Sequence, residues 1–419
     1  MIRWIVADRL GTAAGDNVAR DRPFHVVDTR AMVDKRGNSA DDLIGKVREG
    51  VEELRRGGSV VVVCDFGVSR SNTIAAGILA EWRGLDLDTA VAQVISATGE
   101  QAIKLEMVDS LRSALHEPSA SGRHDGILVT GGGGFLGAAL RDRLAKSHRV
   151  VAPERAAVDL LGPVVDLDRY CRDKGIGKIV HLAYPRIYTN NDAMGQSLTM
   201  LRGVLDVCKS LGIHLYLPSG AVVFSAYRSS SMVADVNTTA RPRGIYGETK
   251  FLEEALVQNA RANGEVDSTI VRISPTFGPK SLRPRLIEFA HRHLTEGRPI
   301  MTHRYRNGLP RLQLLYVDDA VNGLASIIER GSNTPIYHLG GDSSHEPREI
   351  VGTIGEIIEC HAAIEETDIM DDIANVFLDW SSTEAELGWR PTTTLSEGLR
   401  RTLARAASPE IQTGKVSDG

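Results

Sequence analysis

The chain has 419 residues, 42% of them hydrophobic, and its 49 Lys and Arg against 54 Asp and Glu give a formal net charge of −5. A single hydrophobic core stops growing beyond roughly 250 to 300 residues, so this length predicts two domains. The balanced charge, without a long basic run, argues against nucleic acid or an anionic membrane surface as a partner.

The four cysteines, Cys64, Cys171, Cys208 and Cys360, are scattered along the chain and lack the paired spacing of zinc or redox-dithiol sites. We therefore predict no metal centre, and the cysteine usage fits a reducing compartment. The apolar run at the N-terminus is too short for a signal peptide, and no later stretch approaches the ~20 apolar residues of a membrane span. These features predict a cytoplasmic protein without a membrane segment.

A small and polar stretch at residues 119–124 separates two parts of the chain. It lies between an amphipathic segment and a β-branched run, which is typical of a linker. The predicted organisation is an N-terminal domain over residues 1–118, this linker, a second domain over residues 125–410, and a polar tail over residues 411–419.

Short apolar runs of buried-strand type alternate with helix-length segments in both parts of the chain. In the first part, Val60–Val63 precedes a loop and a helical pattern from Asn72 to Trp82. In the second part, strand signals recur at Gly126–Thr130, Arg149–Ala152, Lys178–His181, Ile213–Tyr216 and Ser268–Arg272, with a helical pattern from Phe135 to Lys146 after the first. This alternation predicts an α/β protein with a parallel sheet.

The segment from Cys64 to Ser71 has the pattern of a phosphate cradle, with a cysteine at a strand end, an arginine six positions later and a helix directly afterwards. The backbone N–H groups of such a loop and the helix N-terminus can bind an anion. The planar guanidinium of Arg70 can bind two phosphate oxygens, and these positive surroundings favour the Cys64 thiolate. Cys64 is therefore predicted to be a nucleophile that forms a phosphocysteine.

The segment Val63–Ser71, VCDFGVSRS, resembles the C-x5-R signature of the protein-tyrosine and dual-specificity phosphatases, and the resemblance covers about residues 1–115. It implies that Ser71 helps the thiolate to leave and that an upstream aspartate protonates the leaving group. Asp34 is the predicted acid, and Asp28 is the alternative. The family usually has histidine where this chain has Val63, a departure that favours weaker activation or a domain that only binds phosphate or a phosphoprotein.

A second motif begins where the strand ending at Thr130 meets the glycine-rich segment Gly131–Gly137. The glycines let the backbone approach a pyrophosphate, and the following helix adds its N-terminal dipole. Glu154 lies about 20 positions further on, where a carboxylate binds ribose hydroxyls. Its neighbour Arg155 could instead accept a 2′-phosphate. NAD is the predicted cofactor, and NADP is the alternative.

Tyr246 and Lys250 are four residues apart, which places both on one face of a helix. A nearby ammonium lowers the cost of forming a phenolate, so the tyrosine can act as an acid or base near neutral pH. Together with the glycine loop, this pair resembles the extended short-chain dehydrogenase/reductase family of sugar-nucleotide epimerases, dehydratases and reductases. The resemblance covers about residues 125–405.

Further family motifs follow in order at His181–Ala183, Arg272–Pro279, Tyr316–Asp319 and Leu387–Pro391. The resemblance implies a Rossmann-type doubly wound parallel sheet with a small C-terminal substrate lobe. The cofactor-binding residues that it implies are Gly131, Gly134, Phe135, Leu136, Gly137, Asp159, Leu160, Ala183, Tyr246 and Lys250.

One family position is not matched, because the catalytic serine or threonine falls on Gly220. Ser219 is one residue early, and a shift of one residue on a strand points the side chain to the opposite face. Ser219 is the predicted donor if the backbone bulges there, and Ser225 is the alternative.

A cluster of basic residues in the region of the small lobe suits a phosphate or diphosphate ligand. Its members are Lys280, Arg283, Arg285, Arg304, Arg306 and Arg311. A solvated basic face is the other interpretation of this cluster.

These patterns predict a bifunctional enzyme, a cysteine-dependent phosphatase joined to an NAD-dependent epimerase, dehydratase or reductase. The expected substrate is a phosphorylated or nucleotide-linked sugar, with a homodimer as one possible assembly. The alternative is a phosphatase regulated by a non-catalytic dinucleotide-sensing domain. Gly220 favours this alternative, whereas Tyr246 and Lys250 favour two enzymes.

Overall fold

The computed structural model describes residues 1–15, 18, 23–116, 124–185, 187–279, 285–331 and 334–406. Most of the predicted linker and all of the predicted tail therefore lie outside the described residues. The chain divides into two compact units. The first comprises Met1–Asp125, Arg155–Gly177 and Arg202–Ile213, and the second comprises Gly126–Glu154, Lys178–Leu201 and His214–Gly419.

The first unit contains a four-stranded sheet. Its strands are β1 Arg3–Val6, β2 Leu10–Ala14, β3 His25–Asp28 and β4 Val60–Cys64. The order is β1-β2-β4-β3, in which β2 and β3 flank β4 in parallel and β1 pairs with β2 antiparallel. All five residues of β4 are buried, because this apolar run lies inside the sheet.

Helices of the first unit begin and end at residues suited to those positions. They include α1 Ala40–Arg55, α2 Arg70–Arg83, α3 Leu87–Thr98 and α4 Leu105–Ala114. The Ser39 hydroxyl accepts from the Asp42 N–H at 3.0 Å at the start of α1, and Asp86 accepts from the Thr89 N–H at 2.8 Å at the start of α3. Gly84, with a φ of +66°, caps the C-terminus of α2.

Asp88 of α3 joins helices that are distant in sequence. It accepts from Arg112 of α4 at 2.8 Å and from Arg172 of a further helix at 3.0 and 3.1 Å. Burial opposes ionisation of Asp88, but the hydrogen bonds from the two arginines outweigh it and lower the pKa of Asp88. Arg172 also pairs with Asp168 at 2.6 Å. Residues 155–177 therefore contact α3 and belong to the first unit. The predicted domain limits assign these residues to the second domain.

The main sheet of the second unit has six strands. Their bounds are β5 Gly126–Thr130, β6 Val150–Val151, β7 Ile176–His181, β8 His214–Gly220, β10 Ser268–Ile273 and β14 Ile336–Leu339. Their order in the sheet is β14-β10-β8-β7-β5-β6. The pairs β5/β6, β7/β8, β8/β10 and β10/β14 are parallel. The predicted parallel sheet is thus confirmed, with strands that extend at most four residues beyond the predicted runs.

The strand order reverses between β5 and β7, since β6 lies on one side of β5 and the remaining strands lie on the other. In open α/β sheets, ligands bind outside the carboxyl ends of the strands at such a reversal. The glycine loop follows β5, and the His181–Ala183 motif ends β7. Both predicted cofactor motifs therefore lie at the switch point.

The helices along the rest of the chain are α5 Phe135–Leu144, α6 Val164–Asp173, α7 Asn191–Leu211, α8 Ile245–Ala262, α9 Arg285–Thr295, α10 Val317–Arg330, α11 Pro347–Ile358, α12 Ser381–Leu387 and α13 Leu395–Ala406. The remaining strands are β9 Met232–Ala234, β11 Thr276–Phe277, β12 Ile300–Tyr305, β13 Leu315–Tyr316, β15 Ile364–Ile369 and β16 Val376–Leu378. They form two-stranded parallel pairs: β9 with β16, β11 with β13 and β12 with β15.

The C-terminal elements belong to the same compact unit as the main sheet. Their apolar faces share one core, in which Leu324 of α10 and Ile350 of α11 are buried with Val271 of β10. None of the helices in the described part of the chain combines the length and apolar character that a bilayer crossing requires.

Candidate active sites

Cys64 lies at the end of β4, directly before the loop that leads into α2, and is 2% exposed. Its Sγ accepts the Gly67 N–H at 3.1 Å and lies 3.3 Å from the Ser71 Oγ. Burial alone would raise the pKa of Cys64. The Ser71 hydroxyl and the N–H groups of Ser71, Val68 and Gly67 outweigh burial and lower this pKa below its ordinary value of 9.0.

Two other cysteines show the opposite behaviour. Burial raises the pKa of Cys171 to about 12, with a smaller contribution from the charge of Asp168. Burial likewise raises the pKa of Cys208. The loop environment, and not burial as such, therefore distinguishes Cys64 as a candidate nucleophile.

The loop after Cys64 needs glycine at one position. Gly67 has a φ of +70°, and a Cβ there would lie 2.7 Å from the backbone of Ala13 and Ala14 in β2. The Ser69 hydroxyl accepts the Lys104 N–H at 3.2 Å on the other side of the loop. The loop is thus packed between β2 and the start of α4.

The guanidinium of Arg70 is held at the first turn of α2. Its Nη1 donates to the carbonyl oxygens of Arg30 at 3.0 Å and Met32 at 2.9 Å, and its Nη2 donates to the Asp65 carboxylate. The Arg70 side chain is 12% exposed. Arg70, the predicted phosphate-binding arginine, therefore lies close to the cysteine loop and is paired with a carboxylate of the same loop, that of Asp65.

The two candidate acids differ in their surroundings. Asp34 lies two residues after Met32, and its Oδ2 is 3.4 Å from the Lys104 Nζ, while its buried Oδ1 has no hydrogen-bond partner among the described residues. Because Lys104 also donates to Ser69, Asp34 is linked to the loop. Asp28 instead pairs with Arg30 at 2.6 Å, and this hydrogen bond lowers the pKa of Asp28 against the effect of burial.

The glycine loop of the second unit is closely packed at two positions. Gly131 has a φ of +68°, and a Cβ there would lie 2.7 Å from the backbone of Leu182 and Ala183. A Cβ at Gly137 would lie 2.3 Å from the carbonyl oxygen of Gly131. Gly134 precedes α5, which begins with the predicted cofactor residues Phe135 and Leu136.

The glycine loop is open at one position and packed at the position before it. A Cβ at Gly133 would meet no atom within 4 Å, so the N-terminus of α5 is open at this point. A Cβ at Gly132 would lie 2.5 Å from the Cβ of Ala152, which places the segment after β6 against the loop. Glu154 follows two residues later and is exposed. The predicted pyrophosphate cradle and ribose carboxylate thus lie in one region.

Three predicted cofactor residues, Arg155, Asp159 and Leu160, belong to the first compact unit. Arg155 donates to the Asp159 carboxylate at 3.0 and 3.1 Å. The Leu161 N–H also donates to Asp159 at 3.0 Å and is the largest cause of its lowered pKa. Arg155 therefore already has a carboxylate partner.

Thr130 fixes the end of β7 beside the glycine loop. Its hydroxyl is 2.9 Å from the His181 Nδ1 and accepts from the N–H groups of Leu182 and Ala183 at 3.2 Å. Burial lowers the pKa of His181 to about 4, so this imidazole is neutral at physiological pH. These bonds position the backbone of Ala183 at the switch point.

Lys250 of α8 forms a buried ion pair. Its Nζ donates to the Glu253 Oε2 at 2.8 Å, and the Glu253 Oε1 accepts from the Ser197 hydroxyl of α7. Burial opposes the ammonium, but the charge and hydrogen bond of Glu253, together with the nearby Tyr246 and Tyr184, outweigh it and raise the pKa of Lys250. Lys250 is therefore held as a cation one turn from Tyr246.

Two tyrosines that sequence reasoning missed surround Tyr246. The rings of Tyr184 and Tyr188 each pack edge-on against it, with centroids 5.4 Å away. The Lys250 Nζ lies 4.8 Å from the Tyr184 ring centroid. Its position in the sequence could have identified Tyr184 as a site residue, because it directly follows the His181–Ala183 motif. The sequence analysis also missed Glu253. Its spacing of three residues from Lys250 places the two side chains on neighbouring turns of one helix, where they can pair.

The three candidates for the missing hydroxyl occupy distinct positions. Gly220 ends β8 with a φ of −152°, an extended conformation open to any residue. Ser219 is buried in the strand, and its Oγ has no hydrogen-bond partner among the described residues. The Ser225 hydroxyl accepts the Arg243 N–H at 2.8 Å and donates to the Arg243 carbonyl at 3.2 Å. Neither serine therefore occupies the strand position of Gly220.

The predicted phosphate-binding arginines have acidic partners. Arg304 pairs with Glu366 at 2.6 Å, Arg306 with Asp372 at 2.7 Å and Arg311 with Glu346 at 3.1 Å. Lys280 and Arg283 lie outside the described residues, as does the side chain of Arg285. The paired residues fit the interpretation of a solvated charged face better than that of a free phosphate site.

The sequence matches the model of the NAD dependent epimerase/dehydratase family over residues 127–340. A UDP-glucuronic acid decarboxylase of Xenopus tropicalis is 25% identical over 320 residues, which cover 66% of this chain and 71% of that protein. An uncharacterized UDP-glucose epimerase of Bacillus subtilis is 23% identical over 318 residues, covering 67% of this chain and 98% of that protein.

Solved structures show the same fold. A UDP-glucose 4-epimerase of Thermus thermophilus in complex with NAD has a TM-score of 0.58 at 20% identity, covering 67% of this chain and 98% of that chain. A UDP-glucuronic acid 4-epimerase of Bacillus cereus in complex with UDP-glucuronic acid and NAD has a TM-score of 0.57 with the same identity and coverage. The predicted Rossmann-type fold is confirmed. The chain is an enzyme of the NAD dependent epimerase/dehydratase family, with NAD as its cofactor.

Proposed function

We propose that the chain is a bifunctional enzyme, in which residues 125–410 convert a nucleotide-linked sugar with NAD and residues 1–118 hydrolyse a phosphomonoester through Cys64. The similar proteins include enzymes named for UDP-glucuronic acid and UDP-glucose, which supports a UDP-sugar as the substrate of the NAD half. The observation that carries this half is the pair of Tyr246 and Lys250, which both contact Tyr184, the residue after the Ala183 backbone that lies against Gly131. The proposal includes a cytoplasmic location and a homodimer.

In the NAD half, the glycine loop and the N-terminus of α5 hold the pyrophosphate, and Glu154 binds the adenosine ribose. When bound, NAD supplies hydride acceptance and return. Tyr246 takes the proton from a sugar hydroxyl at its phenolic oxygen, and the Lys250 ammonium stabilises the phenolate. The edge-on rings of Tyr184 and Tyr188 fix the orientation of the Tyr246 ring.

The geometry at Cys64 supports the phosphatase half. A lowered thiol pKa, an arginine at the sixth position and a loop that directs N–H groups towards Sγ suit a phosphate nucleophile. The Cys64 thiolate attacks phosphorus and the ester oxygen leaves with a proton from Asp34. Water then attacks the phosphocysteine and gives its proton to Asp34, while the Ser71 hydroxyl stabilises the departing thiolate.

The NAD half is tested with purified protein and a panel of UDP-glucuronic acid, UDP-glucose and dTDP-glucose. We expect NAD-dependent conversion of at least one of them, detected by product chromatography. The Tyr246→Phe variant should bind NAD normally and lose conversion, because it lacks the proton-transferring hydroxyl. Conversion at an unchanged rate by this variant would refute the assignment of Tyr246.

The phosphatase half is tested by hydrolysis of an aryl phosphate. Cys64→Ser should abolish hydrolysis and leave the calorimetric affinity for NAD unchanged, because serine is not ionised in this cradle. Cys360→Ser is the matched control and should retain the wild-type rate. Hydrolysis that persists in Cys64→Ser would remove the phosphatase half from the proposal.

A second candidate function is a phosphatase controlled by a dinucleotide sensor, which the absence of a hydroxyl at Gly220 favours. A sensor would bind NAD, convert none of the sugars and change its aryl-phosphate turnover when NAD is added. Measuring the hydrolysis rate with and without saturating NAD distinguishes the two functions. For the bifunctional enzyme, we expect sugar conversion that depends on Tyr246 and survives Cys64→Ser.

A further inference from the structure

The donors of Arg70 are divided between two kinds of acceptor. Nη1 donates to two backbone carbonyls, those of Arg30 and Met32, at 3.0 and 2.9 Å. Nη2 donates to the carboxylate of Asp65, the residue that follows Cys64. A carboxylate and a phosphate present similar oxygen pairs to a guanidinium. Asp65 thus binds to the arginine in the manner predicted for the substrate phosphate.

The two partners differ in how firmly they are held. The Arg70 side chain is 12% exposed, and the two carbonyls fix its position from the loop that precedes Asp34. The Asp65 side chain is 51% exposed at the rim of the cysteine loop. Asp65 can therefore rotate into solvent while Arg70 stays in place, and Nη2 is then free to bind a phosphate oxygen.

We propose that Asp65 is an internal competitor of the substrate phosphate for Arg70, so that phosphate binding requires the Asp65 carboxylate to leave the guanidinium. This inference rests on the proposed phosphatase function of the first domain. Removing the carboxylate strengthens oxyanion binding, because the guanidinium no longer has to give up a charged partner. High salt reduces the difference, since it screens a pair that is half-exposed on one side.

The experiment measures tungstate binding by calorimetry to full-length protein that carries Cys64→Ser, which removes both turnover and the repulsion of a thiolate. Asp65→Asn in this background should tighten binding about three- to tenfold, as expected when a partly exposed charged competitor is lost. Asp41→Asn, at an exposed position in the first turn of α1, removes the same charge away from the loop and should leave binding unchanged. Asp65→Ser serves as a second variant if Asp65→Asn unfolds at a lower temperature.

The outcomes separate this inference from the function on which it rests. Tighter tungstate binding by both Asp65 variants, with the Asp41 control unchanged, supports competition by Asp65. Equal binding by the Cys64→Ser protein and its Asp65 variants overturns the competition but leaves the phosphate cradle intact. If none of these proteins binds tungstate at millimolar concentration, the phosphate cradle and the proposed phosphatase function are both wrong.

Discussion

The Lys250 ammonium, one helical turn after Tyr246, forms an ion pair of 2.8 Å with the Glu253 carboxylate, whose side chain is 1% exposed. Both carboxylate oxygens are used, since the second accepts from Ser197. An ammonium carries three N–H groups, so the bond to Glu253 does not use all the donors of Lys250. Glu253 therefore both neutralises and orients the lysine of the candidate active site.

We predict that Glu253→Gln lowers the free energy of unfolding by about 3 kcal/mol, because it leaves the buried ammonium without its counter-charge. Urea denaturation followed by circular dichroism measures this change. Glu52→Gln is the matched control, since its ion pair with Arg56 is largely exposed. The control should change the free energy by less than about 1 kcal/mol. Equal changes in the two variants would contradict a role for burial.

Gly220→Ser is predicted to fold and to raise sugar turnover. The extended backbone accepts a side chain, and the new Cβ would lie 3.4 Å from the Ile273 carbonyl oxygen, an ordinary contact. One added hydrogen bond to a developing oxyanion contributes up to about 10²- to 10³-fold in rate. Initial rates with the converted UDP-sugar measure the effect. The contrasting Gly137→Ser should lose NAD binding, because its Cβ would lie 2.3 Å from a backbone oxygen.

We expect NAD to bind more tightly than NADP. Glu154 repels a 2′-phosphate and accepts from free ribose hydroxyls, whereas Arg155 is already paired with Asp159. Calorimetric titration with both cofactors tests this preference. The Glu154→Gln variant should show a smaller difference in affinity between NAD and NADP. A preference for NADP in the wild-type protein would mean that Arg155 faces the ribose.

The Cys64 thiol should ionise below pH 9.0, since its pKa is lowered from that value. A lowered pKa means that the thiolate forms earlier as pH rises, so the absorbance at 240 nm should increase at lower pH than for an ordinary thiol. Subtracting the titration of Cys64→Ser isolates this signal. Ser71→Ala should move the midpoint upwards, because the Ser71 hydroxyl is the largest favourable contribution, whereas Ser110→Ala on α4 should not.

Asp34→Asn is predicted to slow aryl-phosphate hydrolysis by about 10²- to 10⁴-fold for poor leaving groups. Good leaving groups need less protonation and should be affected less. Asp28→Asn should have little effect on the rate with any leaving group, because the lowered pKa of Asp28 keeps its carboxyl ionised beside Arg30. Rates for a series of aryl phosphates measure both variants. A larger effect of Asp28→Asn would identify Asp28 as the acid.

Local pattern was sufficient to predict many elements near the two sites. The valine run predicted β4, and the spacing after Cys64 predicted a following helix, which begins at Arg70, two residues before the predicted start. The glycine segment predicted the turn between β5 and α5. These features depend on neighbours in sequence, because strand burial, glycine conformation and helix periodicity are local properties.

Contacts between segments that are distant in sequence could not be predicted from local pattern. A helical spacing places Lys250 and Glu253 on neighbouring turns, but it does not reveal that Ser197 of another helix binds the carboxylate. The ring contacts of Tyr184 depend on how the end of β7 meets α8. The pairing of Arg70 with two carbonyls near Asp34 likewise depends on the sheet that brings β3 beside β4.

The bonds of Asp88 constrain how the gene for this chain can change. Asp88, within the first 116 positions, is one of two carboxylates that pair with the largely buried Arg172, and the other is Asp168. A substitution at Asp88 thus removes one of the two counter-charges of Arg172, so the two positions should covary among homologues. Recombination that exchanged the N-terminal segment for an unrelated domain would have to supply an equivalent acid. The first 116 residues and residues 155–177 are therefore expected to be inherited together.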